Sequence, residues 1–340
     1  MSKKTTITIV MAVCAILLIG ALGFSLRDVF KNIFSGGGLS FGGVTYQNAE
    51  KYTAGEALIP DQVKNLDINW INGQVNVAYH KENVITLEET SNKEMTADLQ
   101  LRWWVDGDTL RVQYAKGGYN LGRLNQEKQL TITLPEKAAF DSVSVDATSA
   151  ELNIPALTAD SLSLEVTSGD IHAEGDIRNL SAEATSGDMV LTLLKDAESI
   201  RTESTSGSAR VTAQNVDKIE ISTTSGGISV SAKQAGECRT TSTSGNVEVS
   251  VAKMGQLDIH TTSGTIASTL EQFDAMKIEA TSGDVTLDLP SEPGFSANID
   301  TTSGDVEYNI PITREGNTYI CGDGSAQVSV DTTSGTVHLQ

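Results

Sequence analysis

Residues 219–230 read IEISTTSGGISV, and the Thr-Ser-Gly at the centre of this stretch returns through most of the chain. Successive copies begin 18 to 21 residues apart, except for an interval of 31 residues before the last one. A period near 19 residues is typical of a repeat protein in which each unit packs on its neighbour. The nine copies begin at Thr167, Thr185, Thr205, Thr224, Thr243, Thr262, Thr281, Thr302 and Thr333.

Apolar and polar residues alternate on both sides of each corner. In the quoted stretch, Ile219 and Ile221 precede the corner and Ile228 and Val230 follow it. Such alternation around Gly226 predicts strand, tight turn and strand, with one face of each strand buried. A third apolar position recurs about eleven residues after the Thr, at Val216, Ala235, Met254 and Phe273. We therefore expect an all-β fold, a parallel β-solenoid of about 19-residue coils, which the crossover rule makes right-handed.

The N-terminal residues 1–24 predict a transmembrane anchor formed by one helix. Residues 7–24 are apolar apart from Thr8, and this run of 18 residues is long enough to span a bilayer. A short N-terminus before a large domain favours a single-pass protein of the cell membrane with the solenoid outside the cytoplasm. The alternative is a cleaved signal peptide, for which residues 21–23 (Ala-Leu-Gly) offer a cleavage site. Residues 25–60 then form a juxtamembrane segment and a Gly-rich tether.

Residues 61–142 predict a degenerate first coil and a β-meander cap. Residues 66–77 keep the inward apolar positions of a coil, with Ile-Asn-Gly at 71–73 in place of the Thr-Ser-Gly corner. The period is then lost in several short apolar stretches, two of which are joined by the hairpin signal Asp-Gly-Asp at 106–108. Because an open solenoid end exposes unpaired backbone, we expect this meander, with Trp103 and Trp104, to cover it. The two Trp side chains could instead form a platform for a ligand.

Residues 143–340 form the predicted TSG-repeat β-solenoid. Its first corner, at residues 148–150, carries Ala150 in place of Gly and should bend differently. The interval from Thr302 to Thr333 holds an insertion of about twelve residues around residues 311–324, since it spans 31 residues against the usual 19. Either the insertion folds over the final coil, or that C-terminal solenoid edge self-associates with another molecule.

Composition and charge limit the function. The net charge of −20 argues against a nucleic-acid partner, because like charges repel. Three cysteines are too few for a disulfide framework, and Cys238 and Cys321 belong to coils roughly four steps apart. The four histidines fall in separate parts of the coils, so we expect no catalytic residues, no cofactor and no metal-spaced histidine cluster.

Two outward columns carry charge. Four residues before the corner Thr the sign alternates from coil to coil, which suits weak ion pairs that fix the register: Arg201, Glu220, Arg239, Asp258 and Lys277. Near another column like charges gather in an acidic patch, a candidate site for a cation or a basic ligand: Glu165, Glu183, Glu203, Asp170 and Asp188. The alternative for the patch is a solvated acidic face, because the same column is acidic again at Glu279, Asp300 and Asp331.

Four features of the sequence together resemble a known family. They are the apolar N-terminal segment, the degenerate first coil, the repeated T-S-G corners and the Gly-containing insertion before the last copy. The family is the bacterial adhesin-like family of β-strand-repeat proteins with TSG repeats, which includes LiaG-like proteins of cell-envelope stress operons. The resemblance covers roughly residues 61–340 and implies a membrane-tethered extracytoplasmic β-solenoid. It supplies no catalytic residues to transfer to this chain.

We therefore expect an adhesin-like surface binding or scaffold protein, with a role in the cell-envelope stress response. Its expected partners are the membrane, through residues 7–24, and cell-wall polymer, envelope proteins or cationic ligands. One alternative is a polysaccharide-processing enzyme, since such enzymes also use parallel β-helices; another is an ice-binding solenoid. The enzyme would need acidic and basic groups around one groove, whereas ice binding would need outward Thr in regular pairs.

Overall fold

The computed structural model of this protein describes residues 48–60, 62–117, 126–292 and 294–340. The chain divides into two units, Met1–Thr45 with Gly117–Gly122 and Tyr46–Lys116 with Arg123–Gln340, and all strands that the structure describes lie in the second. Within the described ranges no helix is long and apolar enough to cross a membrane. The predicted anchor at residues 7–24, and the Gly-rich part of the tether, lie outside the described residues.

The described chain is almost entirely β-structure, with one short 3-10 helix at Ala49–Lys51. The strands before the first complete TSG copy are short and of mixed direction, apart from two long ones: β1 Thr53–Ala54, β2 Ala57–Pro60, β3 Asn65–His80, β4 Val84–Ser91, β5 Arg102–Asp106, β6 Thr109–Gln113, β7 Lys128–Pro135 and β8 Phe140–Ser168. The repeat region follows with β9 Ile171–Ser186, β10 Met189–Leu193, β11 Ala197–Ser206, β12 Ala209–Ser225, β13 Ile228–Ser244, β14 Val247–Ser263 and β15 Ile266–Ser282. The C-terminal strands are β16 Val285–Asp288, β17 Gly294–Ser303, β18 Val306–Tyr308, β19 Thr313–Glu315, β20 Thr318–Gly322, β21 Ala326–Ser334 and β22 Val337–Leu339.

Successive coils of the repeat pair in parallel, as the sequence period predicts. In β12, β13 and β14 the register joins Ile219 to Cys238 and Cys238 to Leu257, an offset of one repeat at each step. The corners stack too, since the amide of Gly226 donates to the carbonyl of Ser244 at 3.0 Å. The all-β, solenoid-like repeat is therefore confirmed, while its right-handed sense stays a prediction.

The core is filled by the inward residues of the alternating strands. Ile219, Ile221, Ile228 and Val230 are all buried, as the pattern around this corner predicts. The third apolar position of the coil is buried as well, at Val216, Ala235, Met254 and Phe273. Each coil thus contributes side chains to the core from three stretches, and burial of this apolar surface is the main stabilising term.

At the N-terminal end, the first coil lies between two others. Strand β3 pairs in parallel with β8 on one side, with Ile68 opposite Val145, and with β6 and β7 on the other. Only β4 and β5 run antiparallel to this outer layer, β4 on β7 and β5 on β6. The prediction of a meander from residue 78 onward is therefore wrong in part: β6 and β7 form a broken coil, which the antiparallel strands cover.

At the C-terminal end, the coils do not stack in sequence order. Strand β21, which leads into the last corner, lies between β15 and β17, so Ser334 pairs with Ser282 on one side and Ser303 on the other. The short strand β22 lies in the same way between β16 and β18. The sequential stacking implied by the corner spacing is therefore wrong here, because the long insertion lets the chain form the outermost coil first and return beneath it.

The insertion itself covers part of the outermost coil. Strand β20 pairs antiparallel with β17, with Cys321 opposite Phe295, and β19 pairs with β20. Cys238 and Cys321 are free and buried. The strand that holds Cys321, β20, lies five strand pairings away from Cys238, one more than the sequence suggests, because β20 adds a layer outside β17. The successive paired residues are Cys238, Leu257, Met276, Val328, Ala297 and Tyr319.

Candidate functional site

The Thr-Ser-Gly corner has a structural basis in its glycine. Gly264 has φ of 145°, and a Cβ built there would lie less than 3.0 Å from the carbonyl oxygen of Gly245 in the neighbouring corner. A side chain is therefore excluded by both the backbone conformation and the close approach of the next coil. The corner at residues 148–150 differs as expected, since the buried Ala150 is not among the described residues with positive φ.

The acidic patch contains a stack of glutamates in register. Glu165 pairs in the sheet with Glu183, and Glu183 pairs with Glu203, so the three carboxylates leave the same face on adjacent coils. Glu203 forms an ion pair with Arg201 of its own strand. Part of the negative charge in this column is therefore neutralised by the alternating column beside it.

Asp170 and Asp188 lie just after the corners, and their carboxylates accept hydrogen bonds from backbone amides. The Oδ1 atom of Asp170 accepts a hydrogen bond from the amide of Asp188 at 2.8 Å, and that of Asp188 accepts from Ser208 at 2.7 Å. Asn246 accepts from the amide of Thr265 in the same way, at 3.0 Å. These side chains therefore join each coil to the next, and the patch divides into a glutamate column and a corner ladder. Among the residues the structure describes, no group of three or more His, Cys, Asp or Glu is arranged to hold a metal ion.

The alternating charge column forms the ion pairs that its sequence predicts. Arg201 contacts Glu220 at 3.1 Å, and Arg239 contacts Asp258 at 3.3 Å, each on the neighbouring coil. These side chains are a quarter to half exposed, so each pair contributes little to stability, about 0.2–1 kcal/mol. The column therefore supports the coil register.

Beside this column, His260 lies between two carboxylates. Its Nε2 is 2.8 Å from Asp258 and its Nδ1 is 3.0 Å from Glu279. Glu279 also contacts Lys277 at 2.6 Å, and this lysine is the main reason that the pKa of Glu279 is lowered. The other three histidines lie apart: His80 contacts the carbonyl of Val84 at 2.6 Å, His338 contacts Glu307 at 3.3 Å, and His172 lies between Asn153 and Val190 in the sheet.

The sequence reading missed a polar groove at the N-terminal corners, which we call the corner groove. It has a volume of about 510 Å³ and forms where the row of corners meets the ends of β4 and β7. Its lining is rich in amide, hydroxyl and carboxylate groups: Asn72, Gly73, Gln74, Thr90, Ser91, Asn92, Glu127, Lys128, Gln129, Ser149, Ala150, Glu151, Ser168 and Gly169. The departures from Thr-Ser-Gly at residues 71–73 and at Ala150 were the sequence signal that this region differs.

A buried ion pair lies next to the groove. Lys128 Nζ is 2.6 Å from Glu89 Oε2, and both side chains are almost fully buried, at 0% and 2% exposed. The ammonium also donates to the carbonyls of Leu99, at 2.7 Å, and Tyr114. Burial lowers the pKa of Lys128, and the nearby Glu89 opposes this effect. Because its donors are used inside the protein, this cation is not offered to a ligand in the groove.

The two predicted cap tryptophans have different surroundings. Trp103 packs against the core as a partly buried side chain. Trp104 makes an edge-to-face contact with Tyr52, with ring centroids 5.7 Å apart, and Lys51 Nζ lies 4.5 Å from its ring centre. Both rings therefore have packing partners within the protein.

This protein is of the β-solenoid-like repeat class. Its corners stack, its coils pair in parallel, and each coil contributes buried side chains from three stretches. More specifically, the chain belongs to the Toastrack DUF4097 family, whose profile matches residues 63–274 and 174–340.

Solved structures of bacterial proteins are similar to this chain over most of its length. A proposed adhesin from Parabacteroides merdae is 13% identical, with a TM-score of 0.39, and the match covers 87% of this chain and 98% of the other. A proposed adhesin from Bacteroides fragilis is 9% identical over 84% and 97%, with a TM-score of 0.34. A proposed cell adhesion protein from Clostridium sporogenes is 14% identical over 84% and 99%, with a TM-score of 0.22. None of the curated proteins matches the chain. These structures are described as proposed adhesins and not as enzymes, and likenesses this weak carry no functional argument.

Proposed function

We propose that this chain is an adhesin-like surface binding or scaffold protein, anchored in the cell membrane by residues 7–24 with its solenoid outside the cytoplasm. Its partners are cell-wall polymer, envelope proteins or cationic ligands, and it serves in the response to cell-envelope stress. A second copy is a further partner, through the C-terminal edge formed by β18.

One observation carries the binding proposal: the coils repeat the same exposed groups at strand spacing on a rigid support. The corner serines lie in register from coil to coil, as Ser225, Ser244 and Ser263 do, and each is exposed. Weak contacts that are repeated along a polymer add through effective concentration, so such a surface suits a repetitive partner. The membrane location is supported by the apolar residues 7–24 of the sequence.

Retention on isolated envelope material tests the binding proposal. The full chain, held in a detergent without a sugar head group, is passed over cell-wall polymer, envelope proteins and immobilised cationic peptides. We expect retention above that of an unrelated protein of matched net charge, because recognition by an ordered surface exceeds simple charge attraction. Retention no greater than that of the charge-matched protein, on every material, would exclude a binding function.

Protease access tests the proposed topology. Protease added to intact cells should cut the solenoid if it lies outside the cytoplasm, and should leave a cytoplasmic marker protein whole. A solenoid that is cut only after the cells are lysed would contradict the proposed location.

A further inference from the structure

The corner groove differs from the remaining corners because several elements meet there. In the regular coils a corner stacks on like corners, as Gly226 does between Gly207 and Gly245. In the groove, the corners of β3 and β8 instead face the ends of β4 and β7. Functional groups from four strands therefore converge at one concave place, and its volume of about 510 Å³ lies in the ordinary range for small-molecule sites, about 300–1,000 Å³.

The lining chemistry restricts the class of ligand. Side-chain amides come from Asn72, Gln74, Asn92 and Gln129, and none of the lining residues that the structure describes has an aromatic or large aliphatic side chain. Among the described lining residues Lys128 alone is basic, and its ammonium is held by Glu89 and two carbonyls in the interior. An apolar ligand would find no complementary surface and an anion no cation, whereas a polyhydroxylated ligand would find both donors and acceptors.

The two central strands of the groove argue against an extended peptide along them. At the lining residues, β3 is paired with β7 on one side and β8 on the other, and β7 is paired with both β3 and β4. A peptide that adds a strand needs an unpaired edge, and β3 and β7 offer none at these residues. Among the described strands, β4 pairs with β2 only from Val84 to Leu87, so its second edge is open at Thr90 and Ser91. At β3 and β7 recognition must therefore use side chains, which suits a saccharide better than a peptide that binds through its main chain.

Several lining groups are held in place by the protein while others face outward. The amide of Gln74 donates to Glu151 at 3.1 Å, and Asn92 accepts from the backbone of Glu127 at 3.2 Å. Thr90 and Gln129 lie directly opposite each other across β4 and β7, and both are exposed. Within the described part of the chain, the side chains of these two residues have no hydrogen-bond partner. The groove thus combines fixed walls with available donors and acceptors.

We propose that the corner groove binds a neutral oligosaccharide. The inference deepens the proposed binding function, on which it rests, by naming the class of ligand and its place. Thr90 and Gln129 contribute hydrogen bonds to sugar hydroxyl or acetamido groups.

Calorimetric titration of the full chain in a sugar-free detergent tests the proposal. The probes are neutral tetrasaccharides of glucose, mannose, galactose and N-acetylglucosamine, with tetramers of glucosamine and galacturonic acid as charged comparisons. We expect at least one neutral probe to bind, and T90A/Q129A to weaken that binding by about tenfold or more, since two hydrogen bonds are lost. The double variant T269A/Q272A, which removes the same residue types from exposed positions of a distant coil, should bind like the unchanged protein.

The melting temperature of T90A/Q129A should stay unchanged, because both side chains are exposed. The proposal is overturned if no neutral probe binds, if T90A/Q129A binds as tightly as the unchanged protein, or if either charged tetramer, of galacturonic acid or of glucosamine, binds best. If the protein is retained on envelope material but binds no neutral probe, the saccharide inference is wrong and the binding function stands. If it is neither retained nor binds a probe, the saccharide inference and the binding function are both wrong.

Discussion

The corner glycine illustrates how much one residue position can decide in this protein. Gly226 has φ of 152°, and a Cβ there would lie less than 3.0 Å from the backbone of Gly207. The next residue, Gly227, has room, since a Cβ there would meet its nearest neighbour at 3.6 Å. The two adjacent glycines therefore have different roles, although the sequence gives them the same letter.

Replacing each glycine by alanine separates these roles. We expect G226A to lower the free energy of unfolding by about 3 kcal/mol or more, because a backbone clash must be relieved by moving a neighbouring coil. G227A should change it by less than about 1 kcal/mol. Denaturant unfolding of both variants measures the difference, and equal effects would show that the stacked corner does not require glycine.

Asp146 is a residue whose charge should cost stability. Burial raises the pKa of its carboxyl above the usual 3.8, and the nearby Asp67 adds to this effect. A raised folded-state pKa favours the protonated form, so the associated stability is present below the unfolded pKa and is lost as the pH rises through the folded pKa.

D146N should therefore raise the free energy of unfolding at pH 7, by less than about 1 kcal/mol. The gain should shrink as the pH falls toward 3.8, where the unchanged carboxyl is also protonated. Melting temperatures of both proteins between pH 3 and pH 7 test this. A gain that does not depend on pH would mean that charge at Asp146 is not its cause.

Breaking the buried ion pair of Lys128 and Glu89 should cost more stability than breaking an exposed ion pair. Removing one partner leaves a charge in the interior, so K128M should destabilise the protein by about 3–5 kcal/mol. The double variant K128M/E89L should recover much of this loss, because neither charge then remains buried. For comparison, R178A should cost less than about 1 kcal/mol, since Arg178 and Glu198 form an exposed pair. A double variant no more stable than K128M would contradict this explanation.

Strand β21 connects two coils that precede it in the sequence, although it lies near the C-terminus. It lies between β15 and β17, and β22 lies between β16 and β18. The last residues of the chain therefore join the outermost coil to the rest of the solenoid. In a solenoid with sequential coils, the last segment would contact only one neighbour.

Deleting residues 326–340 should consequently expose a coil that precedes the deletion. We expect the amides of residues 294–303 to exchange with solvent much faster, while those of β13 and β14 remain protected as an internal control. Hydrogen exchange followed by mass spectrometry measures both regions. Unchanged protection of residues 294–303 would show that β17 does not depend on β21.

At the scale of the whole molecule, the net charge of −20 opposes folding through self-repulsion. Salt of any kind should raise the melting temperature by screening, so a specific cation site must be measured against that background. Because no metal-holding group is arranged among the described residues, cation binding by Glu165, Glu183 and Glu203 stays a prediction from the sequence.

If these glutamates bind calcium, millimolar Ca²⁺ should raise the melting temperature further than Na⁺ does at equal ionic strength. E165Q/E183Q should remove this excess, whereas E248Q/E271Q, which removes two exposed carboxylates elsewhere, should keep it. Equal shifts with Ca²⁺ and Na⁺ would exclude a calcium site and leave a solvated acidic face.

The sequence by itself determined the repeating unit of this protein. The alternation around residues 219–230 identifies the strands, their buried faces and the parallel register, because each side chain's direction follows from its position in the strand. It also predicted the ion pairs of Arg201 and Arg239, since residues one repeat apart become neighbours. These properties are local or periodic, and one sequence is enough to reveal them.

Only the tertiary structure decided which coil lies beside which at the two ends. The corners are alike, so Ser334 pairs equally well with Ser282 and Ser303, and the 31-residue interval is long enough to allow either order. The corner groove depends on the same kind of choice, since β7 returns to lie on β3 after a long excursion. Like units carry no information about their order in space, so only the tertiary structure shows that β17 lies outermost, with β20 paired along its other edge.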